Sequence, residues 1–244
     1  MKVTRVLRGA GIISSFGSMG AGASTLVEDD RRILVDTGHF GNRDVLVRNL
    51  KELGIETSEI DTIVLTHLNW DHCLNIDLFE NAEIVLGKEE FISGTLSGTA
   101  DKITAGFKEY LNTRKIRTVS DGNQVSRNTH ILATPGHTPG HVSLNVSDGK
   151  KTVLISGDAM PNLRSYRRGV PDIIFYNLDL ARKSIDKIRK LNPDVIIPGH
   201  DPPFNSDGYI ERDTVDISMR NEDETNLVVT IGKKEAPPPV IYNE

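Results

Sequence analysis

Four times in this chain an apolar run of strand length ends on a histidine or an aspartate. Ile63-Val64-Leu65 leads into Thr66-His67-Leu68-Asn69-Trp70-Asp71-His72, and Ile131-Leu132 into Thr134-Pro135-Gly136-His137-Thr138-Pro139-Gly140-His141. Leu154-Ile155 leads into Ser156-Gly157-Asp158, and Ile196-Ile197 into Pro198-Gly199-His200-Asp201. Apolar runs bounded by Gly and Pro read as buried strands, whose ends are rigid points from which to aim side chains. His67 and Asn69 are two apart, so an extended backbone sends both the same way. Four such ends on one rim of a layered sheet structure would gather imidazoles and carboxylates around one spot. Those groups suit Zn²⁺ and other borderline metals. The plainer reading is a set of loop histidines making ordinary hydrogen bonds; the recurrence of the pattern at four strand ends favours the metal.

Helical patterns separate the runs. Val45, Leu46, Leu50 and Leu53 have helical spacing within Arg43 to Leu53, with Gly54 as the stop. Short or amphipathic helices are also expected over Cys73 to Phe79, Asp101 to Leu111 and Leu178 to Leu191. Ser24 to Glu28 and Arg32 to Val35 read as a hairpin, and Gly/Ser-rich Gly9 to Gly22 as a mobile loop. Alternating strands and helices indicate α/β layers. Residues 1–205 form the main domain in this reading. Residues 206–244 form an appended β-hairpin, with strands over Thr214 to Met219 and Asn226 to Ile231, and a tail carrying Pro237, Pro238 and Pro239.

A net charge of -5 argues against a polyanion-binding surface, so the expected partner is a small molecule and not nucleic acid. No apolar stretch approaches the ~18 residues of a membrane span. The N-terminal region is broken by Gly and Ser and lacks the continuous apolar core of a secretion signal. Cys73 is the only cysteine, which excludes an intrachain disulfide and fits a cytoplasmic setting. It reads as a small apolar packing residue, or else as an extra soft ligand or nucleophile beside His72. Arg164, Tyr166, Arg167 and Arg168 form either a solvated basic loop or a recognition element for an anionic group. A homodimer through the tail is left open.

With Asp36 in Val35-Asp36-Thr37-Gly38 as its first member, this ordered set resembles the signature of the metallo-β-lactamase superfamily: His-x-His-x-Asp-His, then a lone His, a lone Asp and a final His. The resemblance spans roughly residues 1–205. It implies a four-layer αββα sandwich and two metal positions. The first would use His67, Asn69 and His137, the second Asp71, His72 and His200, with Asp158 bridging both. It also implies that Asp36 orients ligands without binding metal, and His141 is better placed to support the ligands than to join them. Asn69 departs from the pattern, standing where the family has its second histidine. Three outcomes follow: both metals bind, with Asn69 as an oxygen ligand or hydrogen-bonded to a metal-bound water; zinc fills only the second position; or His67, His137 and Asp158 hold iron, as in the persulfide dioxygenases of the superfamily. Zinc, one or two per chain, leads, with iron and manganese also suited to the set.

The implied chemistry is hydrolysis of an ester, lactone, thioester or related carbonyl, by water that a metal acidifies toward pKa ~7, with Asp71 as the catalytic proton carrier. The His67 to His72 stretch is similar to the lactonase-like branch. That branch has a Tyr three residues after the bridging Asp, where this chain has Pro161. Pro198 to Phe204 looks like the small single-domain branch named after its metallo-β-lactamase domain. The alternatives are a mononuclear iron oxygenase on His67, His137 and Asp158, and a non-catalytic metal-binding or scaffold protein. Survival of the other ligand positions weighs against the last.

Overall fold

The computed structural model of the chain describes residues 1–14, 17–211 and 240–242. The first half contains β1 (Lys2–Leu7), β2 (Ala10–Ser14), β3 (Gly17–Ala21), β4 (Ser24–Glu28), β5 (Arg32–Val35), α1 (Arg43–Glu52), β6 (Thr62–Val64), α2 (Trp70–Cys73), β7 (Glu83–Gly87), α3 (Lys88–Ser93), α4 (Ile103–Asn112) and β8 (Ile116–Val119). There follow β9 (Gln124–Ser126), β10 (Thr129–Ala133), β11 (Val142–Ser147), β12 (Thr152–Gly157), α5 (Leu163–Arg168), β13 (Ile173–Ile174), α6 (Leu178–Leu191), β14 (Val195–Pro198), β15 (Phe204–Asn205), β16 (Gly208–Tyr209) and β17 (Val240–Ile241).

Two sheets carry the fold. One has the order β1-β4-β5-β6-β7-β8, the other β16-β15-β14-β12-β11-β10-β9. Strand alternation sorts the side chains. Ile33 and Val35 of β5, with Val64 and Val85, face Leu144, Val146, Ile155 and Ile197 across the sheet interface. Leu34, Ile63 and Ile84 point the other way, onto Leu46 and Leu50 of α1. On the far side Leu154 and Ile196 lie under Ile185 and Ile188 of α6. Each such fully buried side chain contributes about 1.5–3 kcal/mol. The layers are helix, sheet, sheet, helix: the expected αββα sandwich.

Strand direction explains why the functional turns meet. β5, β6 and β7 are parallel, as are β12 and β14. β10 and β12 are each antiparallel to β11, so they too run the same way. Asp36, His67, His137, Asp158 and His200 each follow the C-terminal end of one of these strands. One rim therefore collects them all.

Gly9 to Gly22, expected as a mobile loop, holds two paired strands. β2 and β3 pair antiparallel from Ala10↔Ala21 to Ser14↔Gly17. Backbone pairing needs no apolar alternation, so this composition hid the strands. The hairpin lies over the rim, and its glycines permit the contact. A Cβ on Gly20 would fall 2.7 Å from Asp71 Oδ2, and one on Gly22 2.8 Å from His72. The helix expected over Cys73 to Phe79 is split: a short α-helix runs earlier, over Trp70–Cys73, and a 3-10 turn over Ile76–Leu78 falls within the expected range. Asn75 then turns its amide to the carbonyls of Thr37 and His39.

β15 and β16 extend the second sheet through residue 209. The strands expected over Thr214 to Met219 and Asn226 to Ile231, and the Pro run, lie outside the described residues. Val240 and Ile241 pair in parallel with Ile173 and Ile174. Tyr242 lies against Phe175, with ring centroids 4.8 Å apart, and Phe175 in turn packs on the His137 ring.

The start of α4 anchors a loop beside the rim. Asp101 accepts from the Thr104 hydroxyl and N–H and from the Ser97 hydroxyl. The Thr104 hydroxyl in turn receives the Leu96 N–H. The Thr104 hydroxyl, foremost among these donors, draws the Asp101 carboxyl down to about 2. This carboxyl lies below its unfolded value, so its contribution is present above pH ~4 and lost as pH falls through about 2. Asp101→Ala is expected to cost about 1 kcal/mol, the usual loss of a helix-start acceptor. The melting temperature should drop by about 2–4 °C at pH 7. Calorimetry at pH 7 and pH 2 tests this, and an equal drop at both would refute the assignment.

Candidate metal centre

Two groups of potential ligands sit side by side under the hairpin. The ligand atoms of His67, His137 and Asp158 lie within 4.8 Å of one another, and so do those of Asp71, His72 and His200. Asp158 reaches both groups. Its Oδ1 is 3.4 Å from His72 Nε2. Its Oδ2 is 3.2 Å from His200 Nε2 and 3.6 Å from His137 Nε2.

Proton positions follow from the outer partners of each ring. His72 Nδ1 donates to Asp36 Oδ2 at 2.7 Å. His137 Nδ1 and His200 Nδ1 donate to the carbonyls of Ile173 and Ala10, which can only accept. The Thr66 hydroxyl gives its hydrogen to Asp36, so it must accept from His67 Nδ1 at 3.0 Å. All four neutral rings therefore direct an Nε2 lone pair into the same space. His67 Nε2 and Asp158 Oδ1 are buried there without a hydrogen-bond partner. His72 Nε2 and His200 Nε2 face each other at 3.4 Å. Such a convergence of acceptors requires cations, either protons or metal ions, and the donor set of imidazole and carboxylate suits Zn²⁺.

Electrostatics divide the rings. Burial, helped by His72 and His137, pushes His67 well below the ordinary imidazole range. Burial likewise lowers His137. It opposes charge on His72 too, but Asp71, Asp158 and Asp36 outweigh it and hold that ring well above the usual range. His200 is lifted to about 9, with the Asp158 carboxylate overcoming burial. Burial would raise Asp158, yet His200 and His72 hold it well below the usual carboxylate range.

Asn69 lies with the first group. Its Nδ2 donates to the Thr95 carbonyl at 3.0 Å, which turns Oδ1 toward His137 Nε2 at 2.9 Å. His137 Nδ1 already carries the ring hydrogen, so this too is one acceptor facing another. His141 differs. Its Nε2 accepts the Asp158 and Ala159 N–H groups, and its Nδ1 faces the Thr134 hydroxyl. That lone pair is used in fixing the turn that presents Asp158, so His141 supports the centre from outside. Asp36 is buried at φ +58° and receives Thr66 and His72. Cys73 is a core residue whose thiol donates to the Leu68 carbonyl.

The structure therefore brings together His67, Asn69, Asp71, His72, His137, Asp158 and His200. The arginines near Asp158 do not join them: Arg164 and Arg168 turn their forks to Asp172. Sequence reasoning passed over Thr66, whose place between the apolar run Ile63-Val64-Leu65 and His67 was the available signal. It also passed over Glu90, for which no local signal exists.

The model of the metallo-beta-lactamase superfamily matches residues 18–200. The chain belongs to that superfamily. Its relatives include the protein named Probable metallo-hydrolase MJ0296 from Methanocaldococcus jannaschii, 30% identical over 69% of this chain and 70% of that one. Metallo-beta-lactamase domain-containing protein 1 of Xenopus laevis is 30% identical over 75% of this chain and 72% of the relative. Among solved structures, the B. thuringiensis protein AiiA, crystallised as a mutant with N-decanoyl-L-homoserine at its active site, superposes with a TM-score of 0.66. That match has 22% identity and covers 82% of this chain and 92% of the other. As a metallo-beta-lactamase superfamily hydrolase, the chain gathers histidines and aspartates into two groups that could hold metal ions. Among its described residues no helix is long and apolar enough to cross a membrane.

Proposed function

We propose that this superfamily member is a dinuclear metal-dependent hydrolase of lactones, esters or thioesters, with zinc as its metal. One observation carries the reading: lone pairs from four imidazoles and the Asn69 amide converge on two adjacent positions bridged by Asp158. His67, Asn69 and His137 would hold one ion, and Asp71, His72 and His200 the other. Metal bound there supplies Lewis acidity and makes water acidic near neutral pH.

The chain's own residues do the rest. Asp71 Oδ2 stands 3.5 Å from His200 Nε2, on the hairpin side of the centre. It holds the attacking water, takes its proton as the new bond to the carbonyl carbon forms, and delivers that proton to the leaving oxygen or sulfur as the old bond breaks. Asp36, Thr66 and the carbonyls of Ile173 and Ala10 fix ring orientation and tautomer. The β2–β3 hairpin stands over Asp71 and His200. The lactone class is favoured by the likeness to AiiA, whose bound N-decanoyl-L-homoserine is a ring-opened acyl-homoserine lactone.

The test is elemental analysis of protein purified without chelator, followed by hydrolysis of a lactone, ester and thioester panel. About two zinc ions per chain with turnover of a lactone supports the proposal. One iron per chain with oxygen uptake would replace it with an oxygenase on His67, His137 and Asp158. Asn69→Ala should remove an oxygen ligand, leaving about one tightly held zinc and weakening the other about tenfold or more. Two zinc ions bound as tightly as before would show that Asn69 is not a ligand.

A further inference from the structure

We infer that Glu90 is a positioning residue that locks the two halves of the metal centre to each other; the inference rests on the metal reading above. Glu90 lies in the first turn of α3, fully buried, and three donors meet its carboxylate. The Leu68 N–H reaches Oε1 at 3.0 Å. The Thr138 hydroxyl and the Gly140 N–H reach Oε2 at 2.7 and 3.0 Å. Leu68 sits between His67 and Asn69. Thr138 follows His137, and Gly140 precedes His141. One carboxylate therefore spans the loop from the first sheet and the loop from the second. Each loop carries ligands of the Asn69 position, and Gly140 adjoins the ring that fixes the Asp158 turn.

The approach is built into the backbone. A Cβ on Gly140 would stand 1.9 Å from Glu90 N, and a Cβ on Gly87 2.0 Å from Gly140 O. Glycine at both places lets the start of α3 press directly on the His137–His141 turn. A backbone bond also joins these loops, from the Val142 N–H to Thr66 O. Isolated buried carboxylates are costly unless hydrogen-bonded. Burial pushes the Glu90 carboxyl up, against the pull of the three donors. Lys108 acts on it through space and gives its own hydrogen bond to Ile92 O. An apolar side chain would fill this volume without that cost. What it would not do is fix the distance between His67 and His137, which is the distance a shared ion senses.

Glu90→Gln keeps the volume but sets an amide, with one acceptor and its own donors, against three donors. We expect zinc affinity, measured by competition with a chromogenic chelator, to weaken about 10–100-fold, as for other groups that support ligands from outside. The visible spectrum of the cobalt-loaded protein should change as well, because it reports ligand geometry. Thr138→Val removes one donor and leaves the carboxylate in place; it should weaken zinc several-fold, and it carries the test if Glu90→Gln does not fold. Wild-type zinc affinity and cobalt spectrum in either folded variant, with only the melting temperature lowered, would make Glu90 an ordinary structural group and overturn the inference while leaving the metal reading intact. If the wild-type chain takes up neither zinc nor cobalt, the metal reading fails and the clamp with it.

Discussion

Asp36→Ala should be among the most damaging single substitutions in this chain, costing about 3–5 kcal/mol of stability and most of the metal affinity. Asp36 is buried and accepts three hydrogen bonds: the Thr66 N–H, the Thr66 hydroxyl and His72 Nδ1, each at 2.7 Å. Removing the acceptor from a buried, charge-assisted network leaves its donors unpaired, which typically costs about 3–5 kcal/mol. The backbone adds to this. At φ +58° Asp36 occupies a left-handed conformation that short polar residues tolerate and alanine resists. At about 2–4 °C per kcal/mol for a domain of this size, the melting temperature should fall by about 6–20 °C. Two ligands lose their orientation together, since Thr66 relays Asp36 to His67. Asp36→Asn separates the effects. It keeps the volume and suits the left-handed backbone, but an amide cannot accept all three bonds. Its melting temperature should fall less than that of Asp36→Ala, while zinc affinity drops about 10–100-fold. An Asp36→Asn protein with unaltered zinc affinity would remove Asp36 from the ligand-orienting role.

The layers, and the side chains that gather at one rim, were legible in the sequence for one reason: both are written locally. Ile63-Val64-Leu65 announces a strand, and His67 to His72 announces what hangs from its end. Period-two alternation and strand-end turns need no knowledge of the rest of the chain. What stayed hidden depends on distant partners or on backbone alone. The β2–β3 hairpin has Gly and Ser where apolar alternation would mark a strand. Glu90 finds its donors 22, 48 and 50 residues away, and nothing near it in sequence sets it apart from Glu89. The orientation of Asn69 is set by the carbonyl of Thr95, 26 residues on. The basic stretch at Arg164 to Arg168 read as either a solvated loop or a recognition element; Asp172 takes up Arg164 and Arg168. Composition identifies the charges, but only the fold says which of them are already paired.

Removal of metal should produce the second large effect, and its pH dependence should identify the groups involved. An ion that binds only the folded chain, present at about 1,000 times its Kd, adds about 4 kcal/mol of stability. For a chain of this size that corresponds to about 8–16 °C in melting temperature, which chelation should abolish. Without metal, the converging lone pairs are neutralised by protons, and His200 is the clearest case, raised to about 9 mainly by Asp158 acting against burial. Its folded value exceeds the unfolded value of 6.5, so protonation stabilises the metal-free fold fully below pH 6.5, and that contribution is lost as pH rises through about 9. Metal ions replace these protons, so the metal-loaded chain is spared the loss, and metal affinity itself rises with pH. The gap between the zinc-loaded and chelated melting temperatures should therefore widen from pH 6 to pH 9. Scanning calorimetry at the two pH values, with zinc in measured excess and with chelator, gives both numbers. A gap that is constant or narrows with pH would mean that the protons on His200 and its neighbours are not what the metal displaces, and the ligand assignment of the second position would have to be abandoned.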